Sequence, residues 1–147
     1  MGAKGCKEYK REDLVMSRSG YTDDWIDSHW PLICWRGAVN SALRGKRGQA
    51  FLKELAEAMD EMPEKRLITD ELVEGDSFCT LGVIGNKRGI EMKNLDPDDR
   101  DRIGKKFDIA PAMVAEIVYE NDEYFREETP EQRWTRMRKW VQENIKE

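Results

Sequence analysis

The sequence is short of the residues most enzymes rely on. It has one histidine, His29, in 147 residues, so imidazole acid–base chemistry would rest on a single ring. Cysteine is scarce and scattered: Cys6, Cys34 and Cys79. No CxxC or HxxxH pair places two ligands on one turn, so neither zinc nor any other metal or cofactor is expected. An odd number of distant cysteines fits reduced thiols in a cytosol better than a disulfide scaffold. No run approaches the ~18 apolar residues of a spanning helix. Met1–Lys7 lacks the apolar core of a secretory signal, and Cys6 stands where a myristoylation motif needs Ser or Thr. There is no GxxxxGK[ST] phosphate loop. Asp96–Asp101 is not an EF-hand loop, because Arg100 and Asp101 occupy a ligand position and the glycine position. Sustained period-two alternation is also missing, which argues against a β-rich fold.

What the chain does contain is charge and helical periodicity. Charged residues make up 37% of it, against a typical ~25%, and the net charge is −5. That balance disfavours wholesale wrapping of nucleic acid, which calls for a basic face. Hydrophobic residues at 39% still suffice for one core, and the length matches one domain of about 150 residues. We expect residues 1–20 to form a flexible N-terminal arm and 21–147 a single all-α domain of five or six helices.

Thr22 is a plausible N-cap, followed by Asp23 and Asp24, and Pro31 stops or restarts that helix. Trp35, Val39, Ala42 and Leu43 continue a helical pattern up to the break Arg44–Gly48. From Gln49 the stripe Phe51, Leu52, Leu55, Met59 and Met62 is strongly helical and ends at Pro63. Two helices joined by a tight glycine turn form an αα-hairpin. The segment 64–76 fits a short helix capped by Thr69 or a short strand. Residues 77–89 fit a helix packed closely through Gly82 and Gly85 and closed by Gly89, with a strand as the alternative. Asp96-Pro97-Asp98-Asp99 predicts a helix start with Pro at the first helical position, running to about Phe107. A further helix begins near Pro111. The last begins at the capping box Thr129-Pro130-Glu131-Gln132, with Trp134, Met137, Val141 and Ile145 on its apolar stripe.

Three patterns are candidates for function. Ile103-Gly104-Lys105-Lys106-Phe107-Asp108-Ile109, continuing through Val114 to Ile117, resembles a helix-turn-helix. Its second helix offers Ala112, Ala115, Glu116 and Tyr119 where base and phosphate readout would want Arg, Lys, Asn or Gln. Residues 116–128 hold six acids and one arginine, so we read the pair as structural. The second pattern is a basic turn. Arg36, Arg44, Lys46, Arg47 and Lys53 come with no acid among them, whereas 54–76 holds nine acids and two bases. Cations there favour a helix C-terminus and also suit an acidic partner. Third, Trp25, Trp30 and Trp35 recur every five residues, which drifts across a helix face; such rings anchor cores or serve as interface hot spots. The GVIG at 82–85 is not a KH-type loop, because Val83 and Ile84 are apolar. A Cys34–His29 nucleophile pair ranks last.

The runs Trp35–Val39, Arg44–Leu52 and Pro63–Leu67 resemble a family of small proteins encoded in bacteriophages and prophages. The similarity continues through Cys79–Gly82, Tyr119–Glu123 and Thr129–Trp134, covering roughly residues 36–145. The resemblance implies a phage or prophage accessory protein in a bacterial cytoplasm. By analogy with small acidic phage proteins it implies a non-enzymatic inhibitor or modulator of a host protein complex, defence systems of the kind blocked by anti-CRISPR-type inhibitors included. Arg36, Arg44, Lys46, Arg47, Trp25 and Trp30 are the expected partner-binding residues. The alternative is a helix-turn-helix transcriptional regulator using residues 97–120.

Overall fold

The computed structural model describes residues 30–122 and 127–146, with side chains from Cys34 onward. Among these residues there are six helices and one small hairpin. They run α1 Trp30–Arg44, α2 Lys46–Glu61, β1 Val73–Glu74, β2 Ser77–Phe78, α3 Thr80–Arg88, α4 Arg100–Phe107, α5 Pro111–Asp122 and α6 Pro130–Asn144. The fold is all-α, as the periodicity implied. The expected arm at 1–20 and the helix start at Thr22 lie outside the described residues.

Local chemistry sets most boundaries. Pro31 falls in the first turn of α1, where a missing N–H costs nothing, so it suits the start of this helix. The break between α1 and α2 is Gly45 alone, not Arg44–Gly48, and α2 begins three residues before Gln49. Gly48 lies inside α2 and is buried, because a Cβ there would overlap the Ala42 carbonyl of α1. Phe51, Leu52, Leu55 and Met59 are all buried and Met62 is half-buried, as their spacing requires. The segment 64–76 yields a strand, β1, that pairs antiparallel with β2 in the register Val73 opposite Phe78. Residues 77–89 divide between both alternatives: β2, then α3. The Cys79 sulfur caps α3 by accepting from the Gly82 N–H, and Gly89 closes it at φ 70°. The close packing expected of Gly82 and Gly85 is present, against the Leu72 carbonyl and the Met92 side chain.

One predicted start is corrected. Asp96-Pro97 does not open α4. Asp96 Oδ1 accepts from the Asp98 N–H at 2.9 Å, and the Asp96 carbonyl accepts from the Asp99 N–H at 2.9 Å. This closes a separate turn whose Pro97 is buried. Asp99, accepting from the Arg102 N–H, is the true N-cap. An Asp side chain that closes its own turn is not available to cap a helix, and burial of Pro97 favours the turn.

α4 and α5 form the expected tight pair. Asp108 takes the left-handed conformation at φ 58°, which Asp tolerates better than most residues. Gly104 lets the helices approach, since a Cβ there would lie 2.7 Å from the Ile109 carbonyl oxygen. Ile103, Phe107, Ile109, Val114 and Ile117 are buried around it. α5 is the central helix, packed against α1, α3, α4 and α6. Met113 through Val118 are buried without interruption, so this stretch of α5 has no solvent-exposed face, and Ala115 and Glu116 are inside. α6 begins with the predicted capping box and Pro130 at N1 and buries Met137 and Val141, while Trp134 and Ile145 are half-buried.

Candidate functional site

The basic turn is the sharp corner between α1 and α2. The Gly45 N–H donates to the Ser41 carbonyl at 3.0 Å and its own carbonyl accepts from the Gln49 N–H at 2.9 Å, so the chain reverses within one residue. Gln49 locks the corner to the end of α6. It donates to the carbonyls of Leu43 and Asn144 at 2.7 and 2.9 Å and accepts from the Lys146 N–H at 2.8 Å. Arg44, Lys46 and Arg47 are exposed there. Arg47 reaches Asp108 at 3.1 Å, which brings the end of α4, with its exposed Lys105 and Lys106, to the same end of the molecule. The Lys146 ammonium lies 3.5 Å from the Arg44 carbonyl. The corner is thus one part of a basic end drawn from three helices and the segment after α6, and Asp108 is an exposed carboxylate among its cations.

The other expected contact residues are placed differently. Arg36 is exposed on α1 but lies eight residues before Arg44, about 12 Å along the helix. It borders a separate cavity. Trp30 is the first residue of α1, and its side chain lies outside the described residues, as does all of Trp25. Trp35 is half-buried against the core with the Arg100 guanidinium 4.6 Å from its ring centroid, a cation–π contact.

The cavity beside Arg36 has a volume of about 170 Å³ and is bordered also by Asn40, Trp140, Asn144 and the buried Glu116. Glu116 and Glu120 share one face of α5 at i, i+4, where like charges repel. Burial first, then the Glu116 carboxylate, push Glu120 up to about 7, and Arg136 opposes the shift. Arg136 lies 3.9 Å from Glu120 and 2.7 Å from Glu128, so its charge is divided between them. The folded value of Glu120 exceeds its ordinary 4.5, so the native state holds that proton more tightly than the unfolded chain. This stabilisation is complete below pH 4.5 and is lost as pH rises towards 7. The melting temperature should therefore fall between about pH 5 and 7.5, and Glu120→Gln should flatten that slope and raise stability at the alkaline end. A wild-type profile already flat over this window would show that burial and Glu116 do not raise the Glu120 carboxyl. Glu54 and Asp60 act in the opposite sense. Hydrogen bonds from Arg88 and Arg138, respectively, hold their carboxyls low, so their contributions are lost as pH falls below the ordinary carboxylate range.

Neither of the two cysteines among the described residues is a free, ionisable thiol at neutral pH. Burial pushes the Cys79 thiol up to about 12, so it is protonated at neutral pH and serves as a cap. Cys34 is disulfide-bonded, which corrects the expectation of three reduced thiols at that position. Among the described residues no group of His, Cys, Asp and Glu is arranged to hold a metal ion, and no helix is long and apolar enough to cross a membrane.

Two features escaped the sequence reading. Lys105, Lys106 and Lys146 join the basic corner only through tertiary contacts. Arg133 and Asn121 form a buried polar junction. Asn121 Oδ1 accepts from the Thr80 N–H at 3.1 Å and the Thr80 hydroxyl at 2.8 Å, and its amide donates to the Ile68 carbonyl at 2.9 Å. Arg133 donates to the carbonyls of Asn121 and Leu67 at 2.9 and 3.3 Å. The only advance signal was an Arg and an Asn at core spacing on helices, a pattern that surface residues share. Comparison with protein-family models, curated proteins and solved structures finds no match to this chain.

Proposed function

We propose that the chain is a non-enzymatic binding protein, a phage or prophage accessory factor that modulates or inhibits a host protein complex in the bacterial cytoplasm. The observation that carries this reading is the basic end: exposed Arg44, Lys46, Arg47, Lys105, Lys106 and Lys146 gathered at one end of a chain whose net charge is −5. Such a charge separation orients the molecule towards an acidic partner surface and speeds its encounter. Action in the cytoplasm, where disulfides are rare, requires that the Cys34 bond be dispensable. α1 is independently anchored by Val39 and Leu43 in the core, so added reductant should leave the helix content unchanged.

The test compares the wild-type chain with Lys46→Glu/Arg47→Glu in pull-downs from bacterial lysate. A discrete protein partner should be retained by the wild type, lost by the double reversal at constant helix content, and weakened by salt, because exposed charges are screened beyond about 8 Å at physiological ionic strength. Retention that is equal in both proteins would remove Lys46 and Arg47, the first two residues of α2, from the partner surface. The second reading, a DNA-binding regulator, draws on the tight α4–α5 turn. Burial of Ala115 and Glu116 leaves α5 little surface to offer a groove, so selection from random duplex DNA should return no consensus. A reproducible motif lost on changing Ala112 would favour the regulator.

A further inference from the structure

Within the acid-rich stretch 54–76, Glu54 reaches towards the basic end through Arg88, which pairs with it at 2.6 Å and donates to the Phe107 carbonyl at 2.9 Å; the later acids lie elsewhere. The stretch wraps a half-open cleft of about 490 Å³, a volume typical of ligand pockets. The end of α2, the 62–66 loop, the β1–β2 hairpin and α3 form its walls. Ala58, Met62, Phe78 and Val83 supply an apolar floor. The rim carries Glu61, Glu64 and Asp76 against Arg66 and Lys87. Both cations are already engaged. Arg66 pairs with Glu64 at 2.7 Å, and Lys87 lies 3.8 Å from Glu61 and 4.0 Å from the neighbouring Glu57. Asp76, exposed at the hairpin turn, has no ion-pair partner among the described residues. Carboxylates are therefore in excess around an apolar floor.

The geometry points to this cleft as a docking site for a basic, apolar-anchored segment of a partner protein. An aliphatic side chain would lie on Met62, Phe78 and Val83, and an adjacent Lys or Arg would pair with Asp76 and Glu61. Burying the aliphatic group supplies affinity, and the carboxylate excess selects the sign of its neighbour. An acidic segment would meet unpaired like charge. This surface is separate from the basic end and does not depend on it.

The test titrates the full-length, nitrogen-15-labelled chain with an end-capped Leu-Arg-Leu-Lys tetrapeptide and, in parallel, with Leu-Glu-Leu-Asp. The basic peptide should shift backbone amides at Ala58, Met62, Phe78, Val83 and Asn86, and the acidic one should not. Asp76→Lys, at an exposed turn, should weaken the basic peptide about tenfold, and so should raising salt to about 0.5 M. Met62→Gln should weaken it by removing part of the floor. Lys46→Glu/Arg47→Glu should leave the titration unchanged, which separates this site from the proposed partner surface. Equal shifts from both peptides, shifts spread away from the cleft, no shifts at all, or an affinity untouched by Asp76→Lys would overturn the assignment.

Discussion

Arg133→Ala should destabilise the domain by about 3 kcal/mol, close to the loss expected when one partner of a buried ion pair is removed. The Arg133 and Glu128 side chains are 7% and 8% exposed and 3.5 Å apart. The same guanidinium donates to the carbonyls of Asn121, at the end of α5, and Leu67, in the loop before the hairpin. Truncation leaves both carbonyls without this donor in a place water reaches poorly, and such desolvated groups are costly. The loss falls at the lower end of the ~3–5 kcal/mol range because Arg136 still holds Glu128 through two bonds, at 2.7 and 3.0 Å. Arg133→Lys should recover only part of it, since an ammonium cannot reproduce the planar fork. Arg138→Ala is the control. Its pair with Asp60 is shorter, at 2.8 Å, but Asp60 is 54% exposed, so the loss should stay below about 1 kcal/mol. Denaturant midpoints at constant slope measure all three. Equal losses at Arg133 and Arg138 would show that burial does not set the cost.

Gly82→Ala should cost about 3 kcal/mol, the upper end for overpacking, although it adds one methyl group. The added Cβ would overlap the Leu72 carbonyl oxygen and press on the Phe78 Cβ at 3.1 Å. The Leu72 carbonyl cannot swing aside as a side chain would, because it accepts from the Cys79 N–H at 3.1 Å. Relief requires moving α3 away from the hairpin, which opens the core around Leu72 and Leu81. Gly37→Ala makes the opposite prediction. Gly37 lies inside α1 with nothing within 4 Å of a built Cβ, so alanine should stabilise the helix by roughly 0.5–1 kcal/mol. Thermal melts of the two variants should move in opposite directions. A neutral Gly82→Ala would mean that α3 can slide on the hairpin.

The caps and stripes were legible because they depend on neighbours in sequence. The Thr129 box and the Phe51–Met59 stripe follow from spacing and side-chain chemistry within a few residues. Asp96–Asp99 shows the limit of that logic. The same four residues suit a helix start and a closed turn, and the choice was made by burial of Pro97 in a surface contributed from elsewhere. Gly82 was read correctly as a close-approach residue, but its partner, the Leu72 carbonyl, came only with the hairpin.

The sequence by itself determined a charged, helical chain, its main caps, the α1–α2 corner with its cations, and the small residue between α4 and α5. These are local properties set by periodicity, backbone conformation and composition. Tertiary structure decided everything that needs two distant segments at once. It buried the Met113–Val118 stretch of α5 on every side, gathered Lys105, Lys106 and Lys146 beside Arg44, separated Arg36 from that group, and folded the acid-rich 54–76 stretch around an apolar cleft. It also enclosed Glu116, Glu120 and Arg133, whose charges a sequence would assign to the surface. Coulomb attraction and the cost of burying charge depend on separation and local dielectric, and no sequence spacing specifies either.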